Sequence, residues 1–389
     1  MQCPRCLNTN PAWFYKGSRG WYCRRCIRFN RIMLEETQAP VSLSPLSSNT
    51  ALYLLQYPLT PMQKIISHQV ATHILQQDIL LQAVCGAGKT EMVVETISVS
   101  LQNKKRIAFA IARRQVVLEL AQRLQRIFTQ AHVIPVCGGY TKVTDGDLIV
   151  CTTHQLFRYY QTFDILILDE PDAFPFHGNR VLYGIAKTAC KGHCLYLTAT
   201  PDACLTARVK NGTLLHYRLD QRPHGHPLPV PALFICPIPL LLIRLVLWLK
   251  RHVDKLCLVF VPTIRWAKIL YLTLHHLFKN CHYMTSLTRQ PETVLQQFRI
   301  AKHGVLLATT ILERGVTIPD VAVCVFLSDH SVFTHAGLIQ MAGRAGRSFQ
   351  APSGEVLFLS RRPADRVTHC IEDLKEANAC AACYAEKTI

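Results

Sequence analysis

The run Ala83-Val84-Cys85-Gly86-Ala87-Gly88-Lys89-Thr90 holds the residue types that grip a phosphate chain. Gly86 and Gly88 let backbone N–H groups approach phosphate oxygens. The helix opened by Lys89 and Thr90 presents the positive end of its dipole to the same place. Lys89 is the expected partner of the β- and γ-phosphates of ATP, and Thr90 the expected ligand of its Mg²⁺. Ala83 stands where the usual pattern has its first glycine. Asp169-Glu170-Pro171-Asp172 follows about 80 residues later, at the end of an apolar run. Asp169 is expected to hold Mg²⁺ through water, and Glu170 to orient and deprotonate the attacking water. Pro171 stiffens the loop after Glu170. Each element is a weak signal alone. Together they constrain one another and point to ATP hydrolysis.

A third element, Gln340-Met-Ala-Gly343-Arg344-Ala-Gly346-Arg347, follows a helix-like stretch from His335. The three-residue spacing of Arg344 and Arg347 predicts that both lie on one helix face. If that face meets the phosphate loop, one or both reach the γ-phosphate, where the rigid charged fork of arginine follows developing charge. Arg347 is the favoured finger, and Gln340 is placed to contact the water or a phosphate. Upstream, Thr60-Pro61 reads as a cap and first turn. Gln63 then either reads adenine through its amide or is a plain helix-surface residue.

Cys3-Pro-Arg-Cys6 and Cys23-Arg-Arg-Cys26 are two matched CxxC pairs with sixteen residues between them. Two facing knuckles give tetrahedral sulfur ligation, so Cys3, Cys6, Cys23 and Cys26 are expected to hold a structural Zn²⁺ with no open position for water. Redox thiols and an iron–sulfur cluster are the alternatives. Trp13, Phe14, Tyr15, Trp21 and Tyr22 supply a very small core, and Gly17 and Gly20 suit a hairpin turn. Arg5, Lys16, Arg19, Arg24, Arg25, Arg28 and Arg31 surround the knuckles. Basic and aromatic residues so interleaved suit either single-stranded nucleic acid or a partner protein. A late Cys380-Ala-Ala-Cys383, with His369 and Cys370 upstream, has no evident full ligand set.

Continuous apolar strands alternating with helical stretches predict an α/β fold of two tandem parallel-sheet domains with a small N-terminal four-cysteine zinc module. The expected divisions are a module over 1–34, a Pro- and Ser-rich linker over 35–50 and a first ATP-binding domain over 51–205. An interlobe connection over 206–232, a second domain over 233–375 and a tail over 376–389 complete the chain. Arg113 or Arg114 follows the strand near 106–112, and Thr153 and His154 follow the strand near 147–151. Strand ends of this kind meet nucleic-acid phosphates or bases, though an ordinary capped helix start reads the second pair as well. The run Cys194–Thr200 ends in Thr198-Ala-Thr200, suited to relay to the 169–172 segment through a hydrogen bond.

Lys and Arg number 43 against 25 Asp and Glu, a formal charge of +18. An enzyme for small metabolites has little use for that excess. Nucleic acid or an anionic membrane surface explains it, against the plainer reading of a basic surface kept for solubility. The start Met-Gln-Cys-Pro-Arg-Cys carries no export signal, so the seventeen cysteines imply a reducing, cytoplasmic compartment rather than a disulfide scaffold. The apolar run 240–249 is too short to span a bilayer and contains Arg244, and it reads as a half-buried helix.

Gln63, the phosphate loop, the 169–172 carboxylates, Thr198-Ala-Thr200, Thr309-Thr310 with Arg314-Gly315, and the glutamine–arginine segment 340–347 together resemble superfamily-two helicases over nearly all of 57–360. That resemblance implies two RecA-like lobes that close on ATP and bind a nucleic-acid strand across both. It assigns Thr309 and Arg314 to nucleic acid and Gly315 to the nucleotide. Thr317 stands where many DEAD-box RNA helicases have aspartate, which argues against an RNA helicase. The cysteine module and the segments around 151–176 and 309–323 more narrowly resemble the ComFA family of late competence proteins. That likeness implies a cytosolic ATPase stimulated by single-stranded DNA and acting in uptake of transforming DNA. It also implies partners at the membrane DNA channel and a phosphoribosyltransferase-like competence protein. The other readings are a DNA helicase of replication restart or repair, and a nucleic-acid-binding scaffold with little ATPase activity. Oligomeric state is not legible.

Overall fold

The structure, a computed structural model, describes residues 1–36, 38–46, 51–313, 318 and 320–386. Two compact units form, one of residues 1–83 and 88–219 and the other of residues 84–87 and 220–389. A short antiparallel hairpin, β1 (Phe14–Gly17) and β2 (Gly20–Cys23), opens the first unit. Gly17 pairs with Gly20 at its tip, and Gly20 takes φ +116, which only glycine adopts without strain.

The remaining strands of this unit are β3 (Ile79–Ala83), β4 (Ile107–Ile111), β5 (Val133–Val136), β6 (Leu148–Thr152), β7 (Phe163–Asp169), β8 (Cys190–Thr198) and β9 (Leu215–Leu219). They make one sheet in the order β5-β6-β4-β7-β8-β3-β9, parallel throughout. Helices cover both faces, so β4 and β6 are buried along their whole length and read as unbroken apolar runs. The sheet reaches Leu219, beyond the boundary expected at 205. The segment 215–219, read as part of a connection, pairs with β3 as an edge strand. Its alternating exposure explains why it looks like a linker in sequence.

The second unit contains β10 (Ala232–Ile235), β11 (Leu256–Phe260), β12 (Cys281–Met284), β13 (Gly304–Ala308), β14 (Val321–Phe326) and β15 (Val356–Ser360). Their order is β10-β15-β14-β11-β13-β12, again all parallel. The apolar segment near 240–249 is the helix Ile238–Arg251, which buries Leu241, Leu245, Trp248 and Leu249 on this sheet. Leu240, Ile243 and Leu247 are exposed, so the helix is half-buried as expected. No helix among the described residues is long and apolar enough to cross a membrane. The expected tail is instead the end of the helix Asp365–Glu386, where Asn378 exchanges two hydrogen bonds with the Leu228 backbone.

The cysteine module is packed into the first unit's core rather than held on a tether. Phe29 lies 5.5 Å from the Phe157 ring, and the Cys6 backbone abuts the helix Arg180–Ala189. Arg5 is buried. Its guanidinium donates to the Phe29 and Asn30 carbonyls at 2.7 Å, and its own carbonyl accepts from the Thr188 hydroxyl at 2.9 Å. Residues 38–46, expected to be a linker, also lie against this unit. Val41 N donates to Tyr160 O, and Ser44 donates twice to Asp145 Oδ2.

A Cβ added at Gly184 would land on the Cys6 carbonyl. Gly184→Ala is therefore expected to destabilise the first unit by about 1–3 kcal/mol and to speed hydrogen exchange across residues 3–29. Unchanged thermal unfolding and exchange would show that the module does not depend on this close approach.

Candidate ATPase and nucleic-acid site

Parallel strands place their C-terminal ends along one edge of a sheet, and loops there carry the chemistry. At that edge β3 leads into the phosphate loop. Gly86 and Gly88 take φ +84 and +78. A Cβ at Gly88 would lie 2.6 Å from Gln63 Nε2, so glycine is needed there for both backbone and space. Gln63 is buried, and its Oε1 accepts from Thr60 N at 2.8 Å. With the Thr60 hydroxyl receiving Gln63 N, the two residues form a capping box. Gln63 is thus a structural neighbour of the loop, not a surface residue. Lys89 and Thr90 open the next helix, and Lys89 Nζ donates to Ala83 O at 2.9 Å.

β8 lies between β7 and β3. Its Leu197 is level with both Asp169 and Leu81, which puts the end of β7 about 10 Å across the edge from β3. Glu170 has φ +51, a left-handed conformation costing a non-glycine residue roughly 1–2 kcal/mol. Its N–H donates to Leu197 O at 2.8 Å. Asp172 is tied to the end of β8: Thr198 Oγ1 donates to Oδ1 at 2.5 Å and Thr200 Oγ1 to Oδ2 at 2.8 Å. Thr198 Oγ1 also accepts from Thr200 N. These are charge-assisted bonds, and they join the two strand ends through one carboxylate.

The nucleic-acid residues expected from strand ends separate into different environments. Arg113 caps the helix Arg114–Ile127 at the end of β4. Arg114 donates to Gly138 O at 2.7 Å and lies over the Tyr140 ring at 5.6 Å. Thr153 is 2% exposed, so its hydroxyl lies inside the protein. His154 packs 6.1 Å from the Phe29 ring of the cysteine module, and burial lowers its pKa, aided by Arg28. Packing thus accounts for this pair, which strand-end position alone read as a phosphate or base contact. Thr309 immediately follows β13. Arg314, Gly315 and Thr317 lie outside the described residues.

In the second unit the helix His335–Ala342 is capped by the Thr334 hydroxyl, and Gln340 is buried within it. The expectation that Arg344 and Arg347 share its face does not hold. The helix ends at Ala342 and tight turns follow, with Arg344 N bonded to Met341 O and Gly346 at φ +64. Arg344 is 3% exposed and donates twice to Glu313 O, at 2.8 and 3.2 Å. Arg347 is partly exposed, and its Nε donates to Gly343 O at 2.8 Å.

Arg222 is the site residue that sequence reasoning missed. It is 2% exposed and donates to Gly343 O, Ala345 O and Gly346 O at 3.0, 2.8 and 2.6 Å, gripping the backbone that carries both arginines. Burial and the nearby Arg347 charge push its pKa down to about 10. Its place in a Pro-rich connection gave no periodic signal. A buried cation making three carbonyl bonds to this turn and a fourth, from Nε to Cys85 O at 2.9 Å, is legible only in three dimensions.

The four N-terminal sulfurs all lie within 4.8 Å of one another and are buried. The Cys3–Cys26 and Cys6–Cys23 separations are 3.7 and 3.8 Å. Tetrahedral ligation with bonds of about 2.3 Å sets sulfurs about 3.8 Å apart, so the cluster fits Zn²⁺. The shared sulfur hydrogen bonds lower the Cys3 thiol, chiefly through Cys26, and raise the Cys26 thiol, chiefly through Cys3, whereas a metal bound by all four sulfurs requires each as thiolate. Among the described residues this is the one His, Cys, Asp or Glu group suited to a metal.

The sequence of residues 56–203 matches the family described as "Type III restriction enzyme, res subunit", and residues 239–349 match the helicase conserved C-terminal domain. The fold resembles that of S. cerevisiae Dbp5 bound to RNA and ADP BeF3, with TM-score 0.63 and 17% identity over 82% of this chain and 92% of that one. Fold and matched segments define a superfamily-two helicase-like protein with two RecA-like domains. Competence protein ComFA of Streptococcus pneumoniae is 33% identical over 97% of this chain and 90% of its own length. That of Bacillus subtilis is 33% identical over 98% and 86%. The chain belongs to the ComFA family.

Arg222→Lys keeps the charge but loses the fork that spans three carbonyls. Since displacing a positioned group by about 1 Å can cost about 10²-fold in rate, this variant is expected to lower kcat for ATP at least tenfold with KM little changed. An unaltered kcat would show that the loop holds its shape without the grip.

Proposed function

We propose that this chain is an ATPase stimulated by single-stranded DNA, which it uses to move DNA during uptake of transforming DNA. The observation that carries the reading is the joined edge of the first sheet. Phosphate loop, Asp169-Glu170 and the Asp172–Thr198–Thr200 network meet there, in a chain of the ComFA family.

In this reading the N–H groups at Gly86 and Gly88 cradle phosphate, Lys89 meets the β- and γ-phosphates, and Gln63 lies at the adenine side. Mg²⁺, when bound with the nucleotide, neutralises phosphate charge, and Thr90 and Asp169 would hold it. Glu170 takes a proton from the attacking water as its oxygen bonds to the γ-phosphorus and ADP leaves. Arg347 meets the charge developing on that phosphoryl group. Arg344, bonded to Glu313 O, positions the turn, and Gln340 supports it from the helix. Arg113, Arg114 and Thr309 contact the DNA backbone, joined by Arg314, with Gly315 on the nucleotide. Asp172 passes a change at the phosphates to Thr198 and Thr200, and so to the strand end nearer DNA. Cys3, Cys6, Cys23 and Cys26 hold structural Zn²⁺. Competence proteins at the membrane channel, and a phosphoribosyltransferase-like one, are the partners.

ATP turnover measured without nucleic acid and with single-stranded DNA, duplex DNA or single-stranded RNA tests this directly. Single-stranded DNA is expected to stimulate most, and Lys89→Ala to abolish turnover under every condition. Equal or greater stimulation by RNA would replace the proposal with an RNA remodeller. Stimulation without movement along DNA would remove translocation. Separately, Cys23→Ser is expected to lose zinc by elemental analysis and also to lower the thermal stability of the first unit, because its sulfur sits in that unit's core. Unchanged zinc content would reject the ligand set.

A further inference from the structure

Residues 1–34 contain seven Lys and Arg and not one Asp or Glu. Arg5 spends its guanidinium on the Phe29 and Asn30 carbonyls inside the module, but Lys16, Arg19, Arg24, Arg28 and Arg31 are exposed and Arg25 partly so. Arg24, Arg25 and Arg31 lie over the Tyr15, Trp13 and Tyr22 rings, and Arg25 donates to Asn8 Oδ1 at 2.9 Å. Like charges gathered this closely still repel one another, and an anion would relieve that repulsion.

The aromatic side chains decide which anion. Phe14 is buried at the start of β1, while Trp13, at the end of the 3-10 turn before it, and Tyr15, the next strand residue, are exposed. They are 44% and 51% exposed. The Arg25 and Arg24 guanidinium carbons stand 5.9 and 5.8 Å from their respective ring centroids. A single exposed aromatic is ordinary. Two exposed rings two residues apart in sequence, each beside a guanidinium, offer surfaces for stacking with phosphate partners at hand. A second feature adjoins it. Arg25 also lines a cavity of about 680 Å³ together with Asn8, Arg180 and Lys187, where Asp202 is the one carboxylate. That volume is in the range of a small-ligand pocket. It reaches Pro171 of the 169–172 segment and the helix that follows it.

We propose that the outer face of the cysteine module, Trp13 and Tyr15 with Arg24 and Arg25, is a binding subsite for single-stranded DNA. Unpaired bases stack on the two rings, and the backbone passes along Arg25 toward Arg180 and Lys187. Duplex DNA hides its base faces and cannot use the rings. An acidic protein would pair with the arginines but has no use for two exposed aromatic rings among them. The subsite rests on the DNA-dependent reading above and adds to it a second grip, fixed to the unit that carries Lys89 and Asp169.

The test is titration of a fluorescent oligo-dT with the full zinc-loaded chain, followed by anisotropy at two salt concentrations, beside the DNA concentration giving half-maximal ATPase stimulation. Trp13→Ala/Tyr15→Ala is expected to weaken binding at least about thirtyfold, the product of two lost base stacks at about fivefold or more each, and to raise the half-stimulating concentration in step. Trp13→Phe/Tyr15→Phe is expected to retain most of the affinity. Arg24→Ala/Arg25→Ala is expected to flatten the dependence of log affinity on log salt by about 1.4, because each single-strand phosphate that is no longer neutralised reduces the slope by about 0.7. Zinc content and thermal unfolding matching the parent confirm that each variant is folded. If the parent neither binds single-stranded DNA nor is stimulated by it, the functional proposal fails and takes the subsite with it. If the parent is stimulated and the alanine variant binds equally well, the subsite alone is overturned, and the face is left to a protein partner.

Discussion

A parallel sheet covered on both faces leaves its strands no room for polar side chains, so whatever such a sheet does chemically must happen where strands end. Both sheets here obey that constraint. β4, β6, β11, β13 and β15 are buried from first residue to last. Lys89, Asp169, Thr198 and Thr309 all stand at or just beyond C-terminal strand ends. The close register of β3, β7 and β8 brings three of those ends side by side without any dedicated fold feature. The bonds from Thr198 and Thr200 to Asp172 then make neighbouring strand ends move as one, because stretching either bond strands a buried hydroxyl and a carboxylate together.

The second unit uses arginine in two opposed ways. Arg222 and Arg344 are buried and spend their donors on backbone carbonyls, whereas Arg347 keeps part of its surface exposed. Two structural guanidiniums therefore hold one loop on which a third is presented. A lysine at 222 or 344 could fill the volume but could not bridge several carbonyls at once, since its three donors radiate from a single atom.

Elements whose chemistry depends on local conformation were legible in the sequence. The glycines of the phosphate loop, the Thr60-Pro61 cap and the Gly17–Gly20 hairpin each follow from backbone geometry that few residues permit. The buried strands were legible because an unbroken apolar run of five or six residues has few other uses. Features that depend on distant packing were not. β10 and β12 are four-residue edge strands with mixed exposure and carry no periodic signature. The end of the helix at Ala342 was hidden because Gly343 retains helical dihedrals, and only the turns after it show the break. The docking of the cysteine module was hidden most completely, since Gly184 and Thr188 look like ordinary helix residues until the Cys6 and Arg5 backbones are placed against them.

That docking has a consequence in time. The module leaves the ribosome before the helix Arg180–Ala189 against which it packs, which is made about 150 residues later. At synthesis rates of roughly 5–20 residues per second, the four-cysteine segment waits some 8–30 s without its apolar seat. A segment of this size has too little core to stay folded alone. A metal held by its own four sulfurs needs nothing from the rest of the chain, so zinc captured early would keep Phe29 and the thiols ordered until the seat arrives. Metal scarcity during growth would then reduce the yield of the whole folded chain, not merely the fraction of finished molecules that carry zinc.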